Sequence, residues 1–248
     1  MLIPSIKYYI NSFAGFRREV WILALVSLIN RSGTMVIPFL SLYLTNDVNF
    51  SYAQVGWVMS AFGLGSLLGS YLGGKLTDLV GYYPTMVMSL LLSAVLFVVL
   101  QFVKSFEFFC LFIALLMTVA DTFRPALFVS LKSYSKPENR TRSVTLIRLA
   151  INLGFSVGPA AGGFIIANMG YGGLFWIDGI TCLLAGLMLL GLLSNKQSKA
   201  DLNDSKLQST GMRSPYADRH YMIFLGVVVL VGMFYLKALL KKEGFSSE

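Results

Sequence analysis

Apolar runs of about 20 residues recur along this chain, and their recurrence constrains the fold more than any other feature. At a rise of 1.5 Å per residue, about 20 helical residues match the roughly 30 Å hydrocarbon core of a bilayer. The runs extend approximately over Val20 to Leu44, Tyr52 to Leu76, Tyr82 to Val103, Phe106 to Leu131, Ser143 to Asn168, Gly172 to Leu193 and Tyr221 to Leu240. Of the 248 residues, 56% are hydrophobic and 13% charged, more apolar surface than a water-soluble fold can bury. The expected fold class is an all-α membrane protein: a six-helix transmembrane bundle plus a seventh hydrophobic segment.

Short connections join the first six runs, so consecutive helices are expected to be antiparallel neighbours. The divisions that follow are a cytoplasmic N-terminal segment over 1–19, the bundle over 20–193, a cytoplasmic linker over 194–220, and a seventh span with a tail over 221–248. The linker, with mixed charge and little hydrophobicity, reads as mobile. Residues 3–16 mix aromatic and polar side chains and suit either the headgroup zone or a loose terminus.

The formal charge of +8 does not point to nucleic acid, because the basic residues fall in short loops where membrane topology accounts for them. Lys7, Arg17, Arg18, Lys75, Lys132, Lys136, Arg140, Arg142, Lys196, Lys199, Lys206, Arg213 and Arg219 gather on one side, against Lys104 on the other. That asymmetry assigns the N-terminus and the linker to the cytoplasm and the chain to the cell (inner) membrane as a multi-pass protein. Lys237, Lys241 and Lys242 break the pattern, since a full seventh span would carry them outward. Either that run spans poorly or a longer protein continues where this chain ends.

Cys110 and Cys182 sit inside apolar runs without metal or redox spacing and read as small buried hydrophobes. His220 has no metal-ligand spacing, and no Walker-type glycine loop is present, so neither a metal, nor a cofactor, nor a self-contained ATP-driven pump is expected. No soluble-enzyme motif competes. Trp57 and Trp176 near span ends read as interfacial anchors.

Two motifs are more specific. After the second run the sequence reads GGKLTDLVGYY, with Gly74, Asp78 and Gly81 at the positions of the G-x-x-x-D-x-x-G loop of the major facilitator superfamily, which it resembles. Leu79, Tyr82 and Tyr83 stand where that family usually carries Arg or Lys, which weakens the charge relay the loop implies. The fifth run reads GFSVGPAAGG, and Gly154, Gly158, Pro159, Gly162 and Gly163 complete a G-x-x-x-G-P-x-x-G-G pattern that resembles the antiporter signature of the drug:proton antiporter branch. Pro159 withdraws a backbone donor and the glycines remove side-chain bulk, so this helix is expected to bend and pack closely. The resemblance covers nearly all of residues 15–193 and implies a gating loop after span 2 and a gating element in span 5.

Charges at membrane depth are costly and face a cavity or each other. Arg31, Asp121, Arg124 and Arg148 fall in one layer, each roughly 9–16 Å from the cytoplasmic side at 1.5 Å per residue. Asp121 and Arg124, three residues apart, share a face and are placed to neutralise one another; Arg148 and Asn152 share another, and Asn30 adds polarity beside Arg31. The resemblance implies that spans 1 and 4 line a central cavity, so Asn30, Arg31, Asp121, Arg124, Arg148 and Asn152 are the candidate substrate and coupling residues. The three arginines favour anionic or polar substrate groups, and Asp121, the carboxylate of that layer, is the candidate proton-coupling residue. Near Arg124 the match to the family's span 4 motif is partial, because Pro125, Leu127 and Phe128 replace the usual continuation. Asp178, in a different layer, is expected to pack or cap.

The expected function is a secondary active transporter of small molecules, proton-coupled efflux by alternating access, with a small-molecule substrate, protons and the lipid bilayer as partners. An uptake symporter for an organic anion, sugar or peptide is the alternative in the same class. A non-transporting half, lacking its C-terminal half or paired with a second chain, is the alternative outside it.

Overall fold

The computed structural model describes residues 15–194 and 218–242. Among these the regular structure is helical throughout, with six stretches long and apolar enough to cross a membrane: Arg18–Asn46, Tyr52–Val80, Tyr82–Gln101, Phe106–Tyr134, Pro137–Met169 and Gly172–Leu192. Large apolar side chains such as Leu67, Phe164 and Phe102 are about two-thirds or more exposed. Lipid is the solvent that accommodates such a surface. The protein is a multi-pass membrane protein.

Two of the six spans are broken. Span 1 comprises α1 (Arg18–Ser32) and α2 (Val36–Asn46), separated at Gly33 to Met35; span 4 comprises α5 (Phe106–Asp121) and α6 (Phe123–Tyr134), hinged at Thr122. The others are continuous: α3 (Tyr52–Val80), α4 (Tyr82–Gln101), α7 (Arg140–Met169, preceded by a 3-10 turn over Pro137–Asn139) and α8 (Gly172–Leu192). The apolar pattern placed the spans but understated span 2, which runs on to Val80, and span 5, which begins at Arg140. Polar residues at helix ends in the headgroup zone continue a helix without adding to the apolar count.

Local chemistry explains the boundaries. Ser51 and Gln54 form a reciprocal capping box at the start of α3, with Gln54 N–H donating to Ser51 Oγ at 3.3 Å and Ser51 N–H to Gln54 Oε1 at 2.9 Å. Gly81 makes the one-residue turn between spans 2 and 3 at φ 100°, a conformation that a side chain strains. Pro125 has no N–H to offer the carbonyl of Asp121, so the helix of span 4 cannot continue regularly through that turn.

The closest-packed pairs are spans 2 and 4, spans 3 and 6, and spans 1 and 5. Gly65, Gly69 and Gly73 form a bare stripe on α3 against the backbone of Ala114, Thr118 and Thr122. A Cβ on Gly73 would sit 2.7 Å from Thr122 Cα, so these helices approach to backbone contact, as small residues permit. The core divides into two clusters, one around Leu23, Met86, Leu127 and Leu189, the other around Leu40, Phe97, Ile113 and Phe175.

A further helix, α9 (Arg219–Lys242), forms a separate unit whose apolar portion, Arg219–Gly232, is shorter than the six spans. The expected N-terminal headgroup segment up to residue 14 and most of the linker, residues 195–217, lie outside the described residues.

Candidate functional site

A polar layer separates the two apolar clusters and encloses a cavity of about 190 Å³. Spans 1 and 4 supply its charged wall: Asn30, Arg31 and Thr34 from the first, Asp121 and Arg124 from the second. Ser66 on span 2 and Ser89 and Ser93 on span 3 add hydroxyls, while Phe62, Phe97 and Phe155 provide aromatic faces. Leu90 and Ile151 belong to one apolar cluster and Ile37 and Met117 to the other, which places the cavity at their junction.

Asp121 is the sole carboxylate among the described lining residues. It ends α5 at the hinge, and the hydroxyl of Ser66 donates to its Oδ2 across the gap between spans 2 and 4. The i, i+3 pairing with Arg124 is not made: among the described residues no ion pair joins the two, and Arg124 is exposed. Thr122 keeps helical dihedrals, φ −66° and ψ −24°, so the side chains and not the backbone part the two: Asp121 turns to Ser66, and Arg124 is exposed.

Arg31 is half-buried, its guanidinium 5.5 Å from the centroid of the Phe155 ring. Among the described residues its side chain makes no hydrogen bond, and it borders the cavity. Ser89 Oγ donates to the Val119 carbonyl at 2.8 Å and Thr122 Oγ1 to the same oxygen at 2.8 Å, which satisfies the backbone next to the hinge. Ser93 Oγ is buried and makes no hydrogen bond among the described residues.

The candidates from spans 1 and 4 therefore share one cavity, and those from span 5 do not join them. Arg148 and Asn152 are exposed and do not line it. They share a face of α7 with Pro159 and Gly163, which are also exposed; a Cβ on Gly163 would meet nothing within 4 Å. The other motif glycines face inward. A Cβ on Gly154 would stand 2.6 Å from Arg31 Cβ, one on Gly158 3.3 Å from the Ser32 carbonyl oxygen, and one on Gly162 2.7 Å from Phe39 Cε2. Their packing seats span 5 along the break in span 1.

In the loop motif, Gly81 is the turn with positive φ, Asp78 is exposed, and Gly74 has open space around it. Trp57 and Trp176 are exposed, Cys182 is buried beside the cavity and Cys110 is half-buried. The hydroxyls and rings of the cavity were not singled out from sequence. Ser66 had one readable signal, its place next to Gly65 in a stripe of glycines four residues apart.

Asp178 is fully buried and caps, as expected of it, but the helix it caps is not its own. Its carboxylate accepts the N–H groups of Met35 and Val36, at 3.0 and 2.9 Å, at the start of α2.

The sequence profile of the Major Facilitator Superfamily matches residues 20–246. Multidrug resistance protein 1 of Bacillus subtilis (strain 168) is 24% identical over 202 residues, which are 81% of this chain and 50% of that protein. The quinolone resistance protein NorA of Staphylococcus aureus is 25% identical over 174 residues, 70% of this chain and 44% of that protein. The chain spans about half the length of these curated relatives. A crystal structure of the peptide transporter POT (E310Q mutant) in complex with alafosfalin superposes with a TM-score of 0.64 at 17% identity, over 90% of this chain and 47% of that one, a likeness of fold. With its profile, its six spans and its polar central layer in agreement, the chain belongs to the Major Facilitator Superfamily, a family of membrane transporters rather than enzymes.

Proposed function

We propose that this chain forms the cavity-bearing six-helix half of a secondary transporter that exports small molecules in exchange for protons. The observation that carries the reading is the cavity between spans 1 and 4, lined by Asp121, Arg31 and Arg124. A carboxylate at membrane depth that borders a cavity is the proposed proton carrier, and Ser66 holds it there. Similarity to two drug-resistance proteins supports export. In this reading the N-terminus is cytoplasmic, in keeping with the loop charges.

The exposed face of α7 bearing Arg148, Asn152, Pro159 and Gly163 is then the surface that meets a second half, either further chain or another copy. Rocking of the two halves around the midplane would expose the cavity alternately. The Gly81 turn and the close seat of span 5 on span 1 are the proposed gating elements.

The test is flux in proteoliposomes. Export of a fluorescent substrate should collapse when the proton gradient is dissipated, and Asp121→Asn should uncouple it. Gradient-independent flux would refute antiport, and an unchanged Asp121→Asn variant would remove that residue as the coupling site. A second reading, uptake of an organic anion, is favoured by one observation: two arginines line the cavity against one carboxylate. Counterflow with candidate anions separates the two.

A further inference from the structure

Span 6 holds the break in span 1 at three successive points. Beyond the break, Asp178 accepts Met35 N–H at 3.0 Å through Oδ1 and Val36 N–H at 2.9 Å through Oδ2. At the break, the side chain of Thr181 fills the space where Gly33 would carry a Cβ, and its hydroxyl donates to the backbone carbonyl of Asp178 at 3.0 Å. Before the break, Asn30 Nδ2 donates to Cys182 Sγ at 3.4 Å. Asn30, Gly33, Thr34 and Cys182 all line the cavity. Asp178 does not, and is 0% exposed.

We propose that Asp178 is a positioning residue: a latch on span 6 whose bonds to Met35 and Val36 hold the outer half of span 1 in place and so set the cavity wall from Asn30 to Thr34. A helix start leaves several N–H groups without intrahelical partners, and the membrane interior offers little water to satisfy them. The residue at the N-cap of α2 is Met35, which has no acceptor for them. A cap on the helix itself would travel with it; a carboxylate on a different span does not. Tilting α2 therefore means breaking both bonds together, which gives the junction two discrete arrangements, latched and released, rather than a continuum.

The consequences for the cavity follow from Thr181 and Cys182, which lie one turn along α8 from Asp178 on the same face. When α2 leaves, Gly33 loses its seat on Thr181 and Asn30 its partner on Cys182. Cys182, which borders the cavity but is only 4% exposed, then becomes accessible from it. This inference rests on the transport reading for its purpose, but the latch itself is measured without any substrate.

The experiment uses the full chain in lipid nanodiscs with Cys110→Ala, leaving Cys182 as the single thiol. N-ethylmaleimide labelling of Cys182 and amide hydrogen exchange are followed together. Loss of two hydrogen bonds in Asp178→Ala should raise the labelling rate about ten- to a hundredfold. Exchange should quicken at Met35 and Val36 while amides of α5 and α6 keep their wild-type rates. Asp178→Asn, which retains one acceptor oxygen, should fall between, and it serves alone if Asp178→Ala does not insert. Unchanged labelling in Asp178→Asn, or faster exchange spread evenly over the bundle, would overturn the latch, the second because it marks general destabilisation. Absence of proton-driven flux in the unsubstituted chain assembled with its second half, with the labelling pattern as expected, would sink the transport reading and leave the latch standing.

Discussion

Ser66 of span 2 donates its hydroxyl to the carboxylate of Asp121 on span 4, joining the two most closely packed helices at the level of the cavity. The bond exists because Gly65, the residue before Ser66, lets α3 approach the backbone of Ala114 directly. Removing the hydroxyl with Ser66→Ala leaves the packing intact and takes away one donor to a charged acceptor. What is lost is the hydroxyl that orients the Asp121 carboxylate at the cavity. Flux in proteoliposomes should therefore fall, by roughly tenfold for one lost hydrogen bond to a carboxylate, while thermal unfolding in detergent moves little. Unchanged flux would mean that the Ser66 bond does not hold Asp121 in a working position.

The two classes of glycine in span 5 should separate in a pair of substitutions. Gly154→Ala places a methyl group 2.6 Å from Arg31 Cβ and 2.9 Å from the Leu28 carbonyl oxygen, and backbone there cannot move aside cheaply. Overpacking of this kind costs about 1–3 kcal/mol. Gly163→Ala meets nothing within 4 Å and should leave the unfolding temperature unchanged or slightly raised. If Gly163→Ala nevertheless reduces flux, the loss arises at the surface proposed to meet a second half. Equal destabilisation by both would contradict the packing described for α7.

The sequence carried the six spans of the bundle, their order and the two motifs, because bilayer thickness and apolar content fix those without reference to tertiary contacts. It did not carry the breaks in spans 1 and 4. Gly33 and Pro125 were visible, yet a glycine or proline in a membrane helix is often absorbed by its neighbours, and only the seat on Thr181 and the hinge at Thr122 distinguish a break from a bend. The same limit explains the site. Depth along a helix placed Asn30, Arg31, Asp121 and Arg124 in one layer, where the cavity lies. Depth says nothing about rotation, and rotation turns Arg148 and Asn152 to the exposed face of α7. Asp178 was legible as a capping residue, but its partners, some 140 positions away in sequence, were not.

At the rim near the ends of spans 1 and 3, Lys104 lies 3.4 Å from Asp47 Oδ2 and donates to the Tyr43 hydroxyl at 3.4 Å. Burial works against the lysine charge, but the hydrogen bond and charge of Tyr43 and the charge of Asp47 outweigh it and hold Lys104 above its ordinary value of 10.5. A raised folded value means the contribution is complete below the ordinary lysine range and is lost only as pH climbs through the folded value. Stability should therefore show no dependence on this pair across neutral pH. With both side chains about half exposed, Lys104→Met should cost about 0.2–1 kcal/mol, measured by denaturant or thermal unfolding. A larger loss would show that the contact closes the rim more tightly than its exposure indicates.

Pro125 offers a case in which stability and activity should part. Its ring removes the N–H that would bond the Asp121 carbonyl, and the interruption places Asp121 at the end of α5, within reach of Ser66. In Pro125→Ala the restored donor can complete the i to i−4 bond and run α5 into α6 as one helix, a gain of about 1 kcal/mol. Straightening also shifts Asp121 relative to α3, away from the Ser66 hydroxyl that holds it at the cavity. The variant should thus unfold at the same or a higher temperature than the parent while losing most of its proton-driven flux. A variant that is less stable but fully active would mean that the kink serves packing, and that Asp121 reaches its position in the cavity without it.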